Sequence, residues 1–178
     1  FLAPLTLLAQ SYPKESYQID EGKKTLVKWT GSEETIDLSK DPTFALIETI
    51  GDAAFKANRD LQKIILPPLC KQINTGAFAD CNNLREVSWS EKLESIGEES
   101  FFACKSLEKV DLKKVQRIEG SAFSGCAKLK SILLPKTLEE LGVYAFYNCR
   151  QLSDIEVEKG NETYFSIGGV LYSYLFDK

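Results

Sequence analysis

The sequence contains no histidine and no methionine. Without histidine the chain cannot build a Ser-His-Asp triad, a Cys-His nucleophile pair or a metal site with imidazole ligands. Because methionine is absent, Phe1 is not an initiator residue, and we expect a processed product or a piece of a longer chain. No run of about 20 apolar residues occurs, so no membrane-spanning helix is expected.

Charge and length narrow the protein class further. Lys and Arg number 22 against 26 Asp and Glu, which gives a net charge of -4. A chain of this charge repels phosphate backbones, so nucleic acid is not an expected partner. The 178 residues are 43% hydrophobic and 27% charged, which predicts one folded domain with a continuous core.

The first fifty residues predict an irregular N-terminal segment. Residues 1–10 are uncharged and apolar, which fits the end of a secretory signal, cleaved near Ala9, or an apolar flap over the core. Residues 26–29 and 35–38 predict two short strands around a turn. Asp41 and Pro42 predict the cap and first residue of a short helix that continues to residue 46.

A repeat of 22 or 23 residues governs the rest of the chain. Phenylalanine marks it at Phe55, Phe78, Phe101, Phe123 and Phe146. An aliphatic residue stands five positions before each Phe, at Ile50, Ile73, Ile96, Ile118 and Leu141. A leucine stands six positions after each Phe, at Leu61, Leu84, Leu107, Leu129 and Leu152. Five coils therefore share one template.

Each coil also carries a pair of apolar residues two positions apart, which is the period of a strand. The pairs are Ile64 and Leu66, Val87 and Trp89, Val110 and Leu112, Ile132 and Leu134, and Ile155 and Val157. Stacking of these strands at about 4.8 Å predicts a parallel sheet, and each coil needs its neighbour to bury its apolar edge. The pattern thus predicts a solenoid.

These motifs resemble the repeat of the BspA-like bacterial surface leucine-rich repeat proteins. The segment from Ile73 to Leu84 resembles the Ile-Gly-x-x-Ala-Phe-x-x-Cys-x-x-Leu signature, and residues 64–67 resemble its Leu-Pro strand ending. The resemblance covers roughly residues 26–172. It implies an α/β-type solenoid, a right-handed leucine-rich repeat coil with a parallel β-sheet on its concave face and about five repeats of 22–23 residues.

Three residues depart from the family pattern. Ser100 replaces the Ala before Phe101, and Gly168 replaces an Asp of the family's C-terminal spacer. Trp89 takes an inward strand position where Leu is usual. We expect the second coil to be locally swollen at Trp89 or its indole to be partly exposed.

The organisation that follows has three parts. Residues 1–49 form an N-terminal segment and cap, and residues 50–158 form the five-coil solenoid. Residues 159–178 form a C-terminal flank that starts a further repeat or caps the last one.

Four of the five cysteines stand three positions after a repeat Phe, at Cys81, Cys104, Cys126 and Cys149, and Asn58 holds that place in the first coil. We interpret the column as small side chains that satisfy backbone groups of the turn. Cys70 takes an aliphatic position and is expected to pack as a small hydrophobe. Disulfides between stacked coils remain open on geometry, whereas one ligand per coil does not converge on zinc.

No pattern supports catalysis. The adjacent carboxylates at residues 33–34, 98–99 and 139–140 point apart on strands or turns, so they do not face a common substrate atom. Residues 161–163 match an N-glycosylation sequon, a short motif that often occurs by chance. We expect no enzyme activity, no cofactor and no metal.

A ligand would meet the outward residues of the predicted sheet. They form two columns: Lys63, Glu86, Lys109, Ser131 and Asp154 in one, and Ile65, Ser88, Asp111, Leu133 and Glu156 in the other. The family resemblance implies a secreted or cell-surface, adhesin-like module that binds a host extracellular-matrix or bacterial surface protein. The alternative is a structural spacer of a longer surface protein with no ligand of its own.

Overall fold

The computed structural model of the chain describes residues 11–174. The signal or flap expected for residues 1–10 lies outside the described residues. Short strands dominate, and the described helices are two 3-10 turns at Lys14–Ser16 and Pro42–Phe44. The strands are β1 (Tyr17–Ile19), β2 (Thr25–Trp29), β3 (Thr35–Asp37), β4 (Thr49–Ile50), β5 (Lys63–Ile65), β6 (Gln72–Ile73), β7 (Glu86–Ser88), β8 (Ser95–Ile96), β9 (Arg117–Ile118), β10 (Ser131–Leu134), β11 (Glu140–Leu141), β12 (Asp154–Val157), β13 (Tyr164–Ile167) and β14 (Val170–Ser173).

One sheet runs through the described molecule without a gap, and we call it the long sheet. Its parallel strands are β2, β4, β6, β8, β9 and β11, and β1 pairs with β2 in antiparallel direction at one edge. The register aligns the aliphatic residues of successive coils, for example Ile50 with Ile73 and Ile73 with Ile96. The aliphatic column five residues before each Phe is thus a column of strands, which the sequence pattern did not predict.

The sheet that was predicted is present in two pieces, which we call the interrupted sheet. β3, β5 and β7 form one piece, and β10 and β12 form the other. Residues 109–111 of the third coil are not a strand, so the prediction of one continuous sheet that includes Lys109 and Asp111 is wrong. The solenoid has about six turns and parallel sheets. Its right-handed path and the concave position of the sheet stay predictions.

The α/β expectation also needs correction, because the segment that joins the two sheets is a turn and not an α-helix. We call the five residues centred on each repeat Phe a Phe turn. The residues two before and two after the Phe have positive φ, as at Ala53 (51°) and Ala57 (58°) or Glu99 (52°) and Ala103 (55°). Left-handed residues at this spacing prevent an α-helix.

The amides of the Phe turns bond from coil to coil. In the first Phe turn, Ala53, Phe55 and Ala57 donate to carbonyls of the second coil at 2.7–2.9 Å. The same three bonds recur at the next three junctions, so backbone groups that a helix would pair internally are paired between coils.

A stack of aromatic rings runs through the core from coil to coil. The centroids of Phe55, Phe78, Phe101, Phe123 and Phe146 are separated by 4.9, 5.0, 5.3 and 5.6 Å, with planes within 11° of parallel. The first four rings are at most 1% exposed. Burial of each of these four rings stabilises the fold by roughly 1.5–3 kcal/mol, since little of the ring remains in contact with water.

The N-terminal segment closes one end of this stack. Trp29 lies over Phe55 at 5.7 Å, and Tyr12 contacts Trp29 edge-on at 4.9 Å. The strands predicted at residues 26–29 and 35–38 are present, but they join the long and the interrupted sheet and do not pair with each other. The Asp41 cap is confirmed, because its carboxylate accepts a bond from the Thr43 amide.

The C-terminal flank forms an antiparallel hairpin of β13 and β14. Gly168 and Gly169 make its two-residue turn with φ of 58° and 80°, which suits glycine. The hairpin packs on β12, where the Ile155 amide donates to the Gly169 carbonyl. The boundaries assigned at residues 49 and 158 stay predictions.

Candidate sheet-face binding site

Strand alternation turns the predicted ligand-binding residues outward. In β10, Ile132 and Leu134 are buried whereas Ser131 and Leu133 are exposed. The register places Lys63 beside Glu86 and Ile65 beside Ser88 in one piece of the interrupted sheet. In the other piece it places Ser131 beside Asp154 and Leu133 beside Glu156. Both predicted columns are therefore present in the first, second, fourth and fifth coils, where the two pieces of the interrupted sheet contain them.

The third coil separates the two pieces. The amides of Lys109, Val110 and Asp111 donate no hydrogen bond within residues 11–174, and their carbonyls accept none there. On the side of the interrupted sheet, among the described residues, one long backbone bond of 3.4 Å joins the third coil to the second, from the Glu108 amide to the Arg85 carbonyl. Lys109 and Asp111 are thus on the same face as the other predicted residues, but outside either sheet.

Trp89 lies at the start of the break. Its indole is partly buried, with its centroid 5.3 Å from that of Phe101, as was expected for this position. The equivalent residues Leu66, Leu112 and Leu134 are at most 2% exposed. We attribute the break to the larger indole, which stands where the other coils carry a smaller aliphatic residue, and we expect a leucine at this position to let the second and third coils pair.

A groove of about 1000 Å³ opens over the break. Six of the ten predicted ligand-binding residues line it, namely Glu86, Ser88, Lys109, Asp111, Ser131 and Leu133. The other four, Lys63, Ile65, Asp154 and Glu156, lie on either side of it in β5 and β12. The break thus gathers residues from three coils into one concave surface.

The groove combines apolar and charged groups. Leu133 is 53% exposed, and the partly buried Trp89 contributes further apolar surface. Arg85, Lys109 and Lys113 stand beside Glu86, Glu108 and Asp111, so neither sign of charge dominates. This composition resembles that of protein-binding surfaces, which place charged groups around an apolar centre.

Three ion pairs organise the charges. Lys63 binds Glu86 at 2.7 Å across β5 and β7. Lys113 binds Glu91 and lies 3.8 Å from Asp111. The hydrogen bond from Lys113 lowers the pKa of Glu91, and Glu91 in turn raises the pKa of Lys113. At neutral pH Glu91 is therefore ionised and Lys113 protonated, and both present charged hydrogen-bonding groups to a ligand.

Sequence reasoning did not assign Arg85, Val87, Glu108 or Lys113 to this surface, although they line the groove. Arg85, Glu108 and Lys113 precede or follow the strand positions, and Val87 is the inward residue of β7. All four line the groove where the third coil opens. The available signal was Trp89, which the pattern identified as a departure but did not connect with a break.

The cysteines are structural in the way that the spacing predicted. The thiols of Cys81, Cys104, Cys126 and Cys149 each donate to the carbonyl of the repeat Phe one coil earlier, at 3.0–3.3 Å. Burial raises the pKa of Cys81 and of Cys70 to about 12, so both stay protonated at neutral pH. Within residues 11–174, no three metal-binding side chains gather at one point.

The sequon asparagine is also structural. Asn161 is 7% exposed, and its amide nitrogen donates to the carbonyls of Pro135 and Leu138 at 2.9 Å. Its side-chain oxygen accepts bonds from the amides of Thr163 and Tyr164. The nitrogen that would carry a glycan is therefore already engaged in the folded chain.

Comparison with known protein families identifies the repeat. A model of the BspA-type leucine-rich repeat region matches residues 48–169 in six copies, where the Phe spacing gave five coils. No curated protein sequence matches the chain significantly. Within residues 11–174, no helix is long and apolar enough to cross a membrane.

Solved structures agree on the fold. A leucine-rich repeat protein of T. pallidum aligns with a TM-score of 0.75 and 23% identity, over 82% of this chain and 71% of its own. The pneumococcal vaccine antigen PcpA aligns with a TM-score of 0.68 and 28% identity, over 88% of this chain and 37% of its own. A leucine-rich cell surface protein of Faecalibacterium prausnitzii aligns with a TM-score of 0.56 and 24% identity, over 92% of this chain and 58% of its own.

Proposed function

We propose that this chain, which belongs to the BspA-type leucine-rich repeat family, is a non-catalytic protein-binding module that acts at a bacterial cell surface or outside the cell. Leucine-rich repeat domains of bacterial surface proteins are typically interaction modules, and one structural relative is described as a cell surface protein. The ligand would be a host extracellular-matrix protein or a bacterial surface protein.

The observation that carries the proposal is the groove over the break in the interrupted sheet. It exposes a leucine, a tryptophan edge and unpaired backbone groups of residues 109–111 on one face. A partner that covers Leu133 and the indole removes apolar surface from water, and the exposed backbone groups of residues 109–111, hydrated in the free chain, can exchange water for hydrogen bonds to that partner. A protein ligand with an extended segment could pair with these backbone groups and cover Leu133.

The spacer is the second candidate, because the chain spans 37% of the pneumococcal antigen with which it aligns. A module of that relative size could hold other modules apart without a ligand. The two functions differ in what the sheet face must do, since a spacer tolerates any charge there.

The test is a binding screen of the immobilised chain against extracellular-matrix and bacterial surface proteins. A variant with Ile65→Glu, Asp111→Lys and Leu133→Glu changes the proposed face. A matched control with Gln72→Glu, Arg117→Glu and Glu140→Arg changes three residues of the long sheet and reverses the Arg117–Glu140 ion pair without removing it.

The binding module predicts a saturable signal that the first variant loses by at least about tenfold, which corresponds to about 1.4 kcal/mol, and the control keeps. Circular dichroism and thermal unfolding confirm that both variants fold. Equal loss in both variants would move the binding surface elsewhere, and no signal from any form would favour the spacer.

A further inference from the structure

The two ends of the Phe stack are covered differently. At the N-terminal end, Trp29 stacks on Phe55 and its amide donates to the Ala54 carbonyl at 2.9 Å. At the C-terminal end, Phe146 contacts Phe123 on one side and is partly exposed. Tyr144, Tyr147 and Val143 beside it are 69%, 64% and 75% exposed. The last Phe turn thus leaves its ring partly exposed between exposed apolar side chains, whereas the repeat Phe rings of the other four turns are buried.

The backbone of this last turn has unpaired donors. At the four inner junctions, the amides at the Phe and at the residues two before and two after it donate to the next coil. The corresponding amides of Tyr144, Phe146 and Asn148 donate no hydrogen bond within residues 11–174. Tyr144 and Asn148 keep the positive φ of the template, 59° and 57°, so these amides point the same way as those of the inner turns.

The same edge also has one available hydrogen-bond acceptor position, at the Phe146 carbonyl. In each inner coil the Phe carbonyl accepts the amide three residues later and the thiol of the next coil, as Phe123 does from Cys126 and Cys149. The Phe146 carbonyl accepts only the Cys149 amide within the described residues. The carbonyls of Val143, Ala145 and Tyr147 are already bonded to the fourth coil. The edge therefore consists of three donors, one aromatic face and one acceptor position.

Beyond the ligand groove, we infer a second docking surface, the edge 143–148, which binds a coil-like segment of a partner polypeptide. That segment supplies three backbone carbonyls at alternate residues and an aromatic ring that stacks on Phe146. Three residues after the ring it carries a small side chain, such as Cys, that donates a hydrogen bond to the Phe146 carbonyl. The inner junctions supply this pattern four times, so the edge continues an interface already present in the molecule.

Other occupants fit the edge less well. A second copy cannot pair edge to edge, because donors would face donors, and its N-terminal end is closed by Trp29 over Phe55. A small anion could accept from successive amides. It would leave the Phe146 ring and Tyr144 in contact with water.

The probe is a synthetic peptide with the sequence of residues 119–129, whose carbonyls at Gly120, Ala122 and Ser124 cover the equivalent amides of the third coil. It is titrated into the full ¹⁵N-labelled chain. We expect the NMR chemical shifts of the backbone amides of Tyr144, Phe146 and Asn148 to change saturably as peptide is added. The amides of the first Phe turn should show no change.

A tethered form makes weak docking measurable. The same segment is joined after Lys178 through a flexible Gly-Ser linker, which raises its effective concentration to about millimolar. Hydrogen exchange of the three edge amides should slow by about tenfold if the segment is docked about nine tenths of the time. The matched control carries Phe123→Ala within the added segment and should dock roughly three- to tenfold more weakly, since ring stacking is lost.

Three results would overturn the inference. The first would be that the edge amides exchange as fast with the tethered segment as without it. The second would be that the Phe123→Ala segment protects these amides as well as the unchanged segment does. Alternatively, the unmodified chain forms a concentration-dependent dimer that protects the same amides, which would assign the edge to a second copy. A Leu133→Glu chain should dock the segment normally, because the groove is a separate surface.

Discussion

The long sheet and the interrupted sheet lie on the same coils, yet only one of them is continuous. In the long sheet, glycine follows the aliphatic residue in three coils, at Gly51, Gly97 and Gly142, and lets neighbouring coils approach closely. A Cβ on Gly97 would lie 2.9 Å from the Ile73 carbonyl oxygen. In the interrupted sheet, Trp89 occupies an inward position and the third coil is unpaired. The same coils thus pair continuously in the long sheet and leave a groove open in the interrupted sheet.

Removal of Phe101 should have the largest effect, because the Phe turns join the two sheets. Its ring lies between those of Phe78 and Phe123 and contacts Trp89. Phe101→Ala should lower the free energy of unfolding by about 3–5 kcal/mol, measured by denaturant titration. The neighbour Phe102 is 37% exposed, and Phe102→Ala should cost only about 0.5 kcal/mol. Equal costs for both variants would refute the register of the stack.

A smaller decrease in the free energy of unfolding should follow when the strands of the long sheet alone are crowded. Gly97→Ala places a methyl group against the backbone of residues 73–75 and should destabilise the chain by about 1–3 kcal/mol. Gly120→Ala is the control, because the nearest atom to its Cβ is 3.6 Å away. If thermal unfolding shows Gly97→Ala to be neutral, close approach is not what keeps the long sheet continuous.

Two buried serines should respond in opposite directions. Ser100 is fully buried, and its hydroxyl has no hydrogen-bond partner within the described residues. Ser100→Ala restores the alanine of the template and should stabilise the chain by about 1 kcal/mol. The Ser90 hydroxyl, next to Trp89, donates to the Pro68 carbonyl and accepts the Lys92 amide.

Ser90→Ala should therefore cost about 1 kcal/mol, because it leaves those two backbone groups without their partner. Denaturant titration of both variants checks the sign. A loss for Ser100→Ala would mean that its hydroxyl is satisfied in solution.

The smallest effect should come from the ion pair on the interrupted sheet. Lys63 and Glu86 are 37% and 57% exposed at their side chains. Solvent screens such a pair, so Lys63→Gln should change the free energy of unfolding by less than about 1 kcal/mol. A double-mutant cycle with Glu86→Gln isolates the pair, and a coupling well above this value would show that the pair holds β5 and β7 together.

The sequence was sufficient for the parts that repeat. The Phe stack, the thiol column and the inward residues of the interrupted sheet follow from spacing, because each position meets the same environment in every coil. The Asp41 cap was equally predictable, since its signal lies within three residues.

The parts that escaped prediction depend on long-range geometry. The strands of the long sheet are two residues each over most of its length, too short to show a strand period. The positive φ values occur at Ala, Glu and Tyr as well as Gly, so composition did not reveal them. The break at residues 109–111 depends on how Trp89 packs against its neighbour coil, and the groove residues Arg85 and Lys113 became visible only with it.

Hydrogen exchange of the third-coil amides tests the central claim, that Trp89 opens the interrupted sheet and so creates the binding groove. In the native chain, the amides of Lys109, Val110 and Asp111 should exchange rapidly compared with those of the long sheet. In Trp89→Leu they should slow by at least about tenfold as the third coil pairs with β7. Protected amides in the native chain, or unchanged rapid exchange in Trp89→Leu, would contradict the claim.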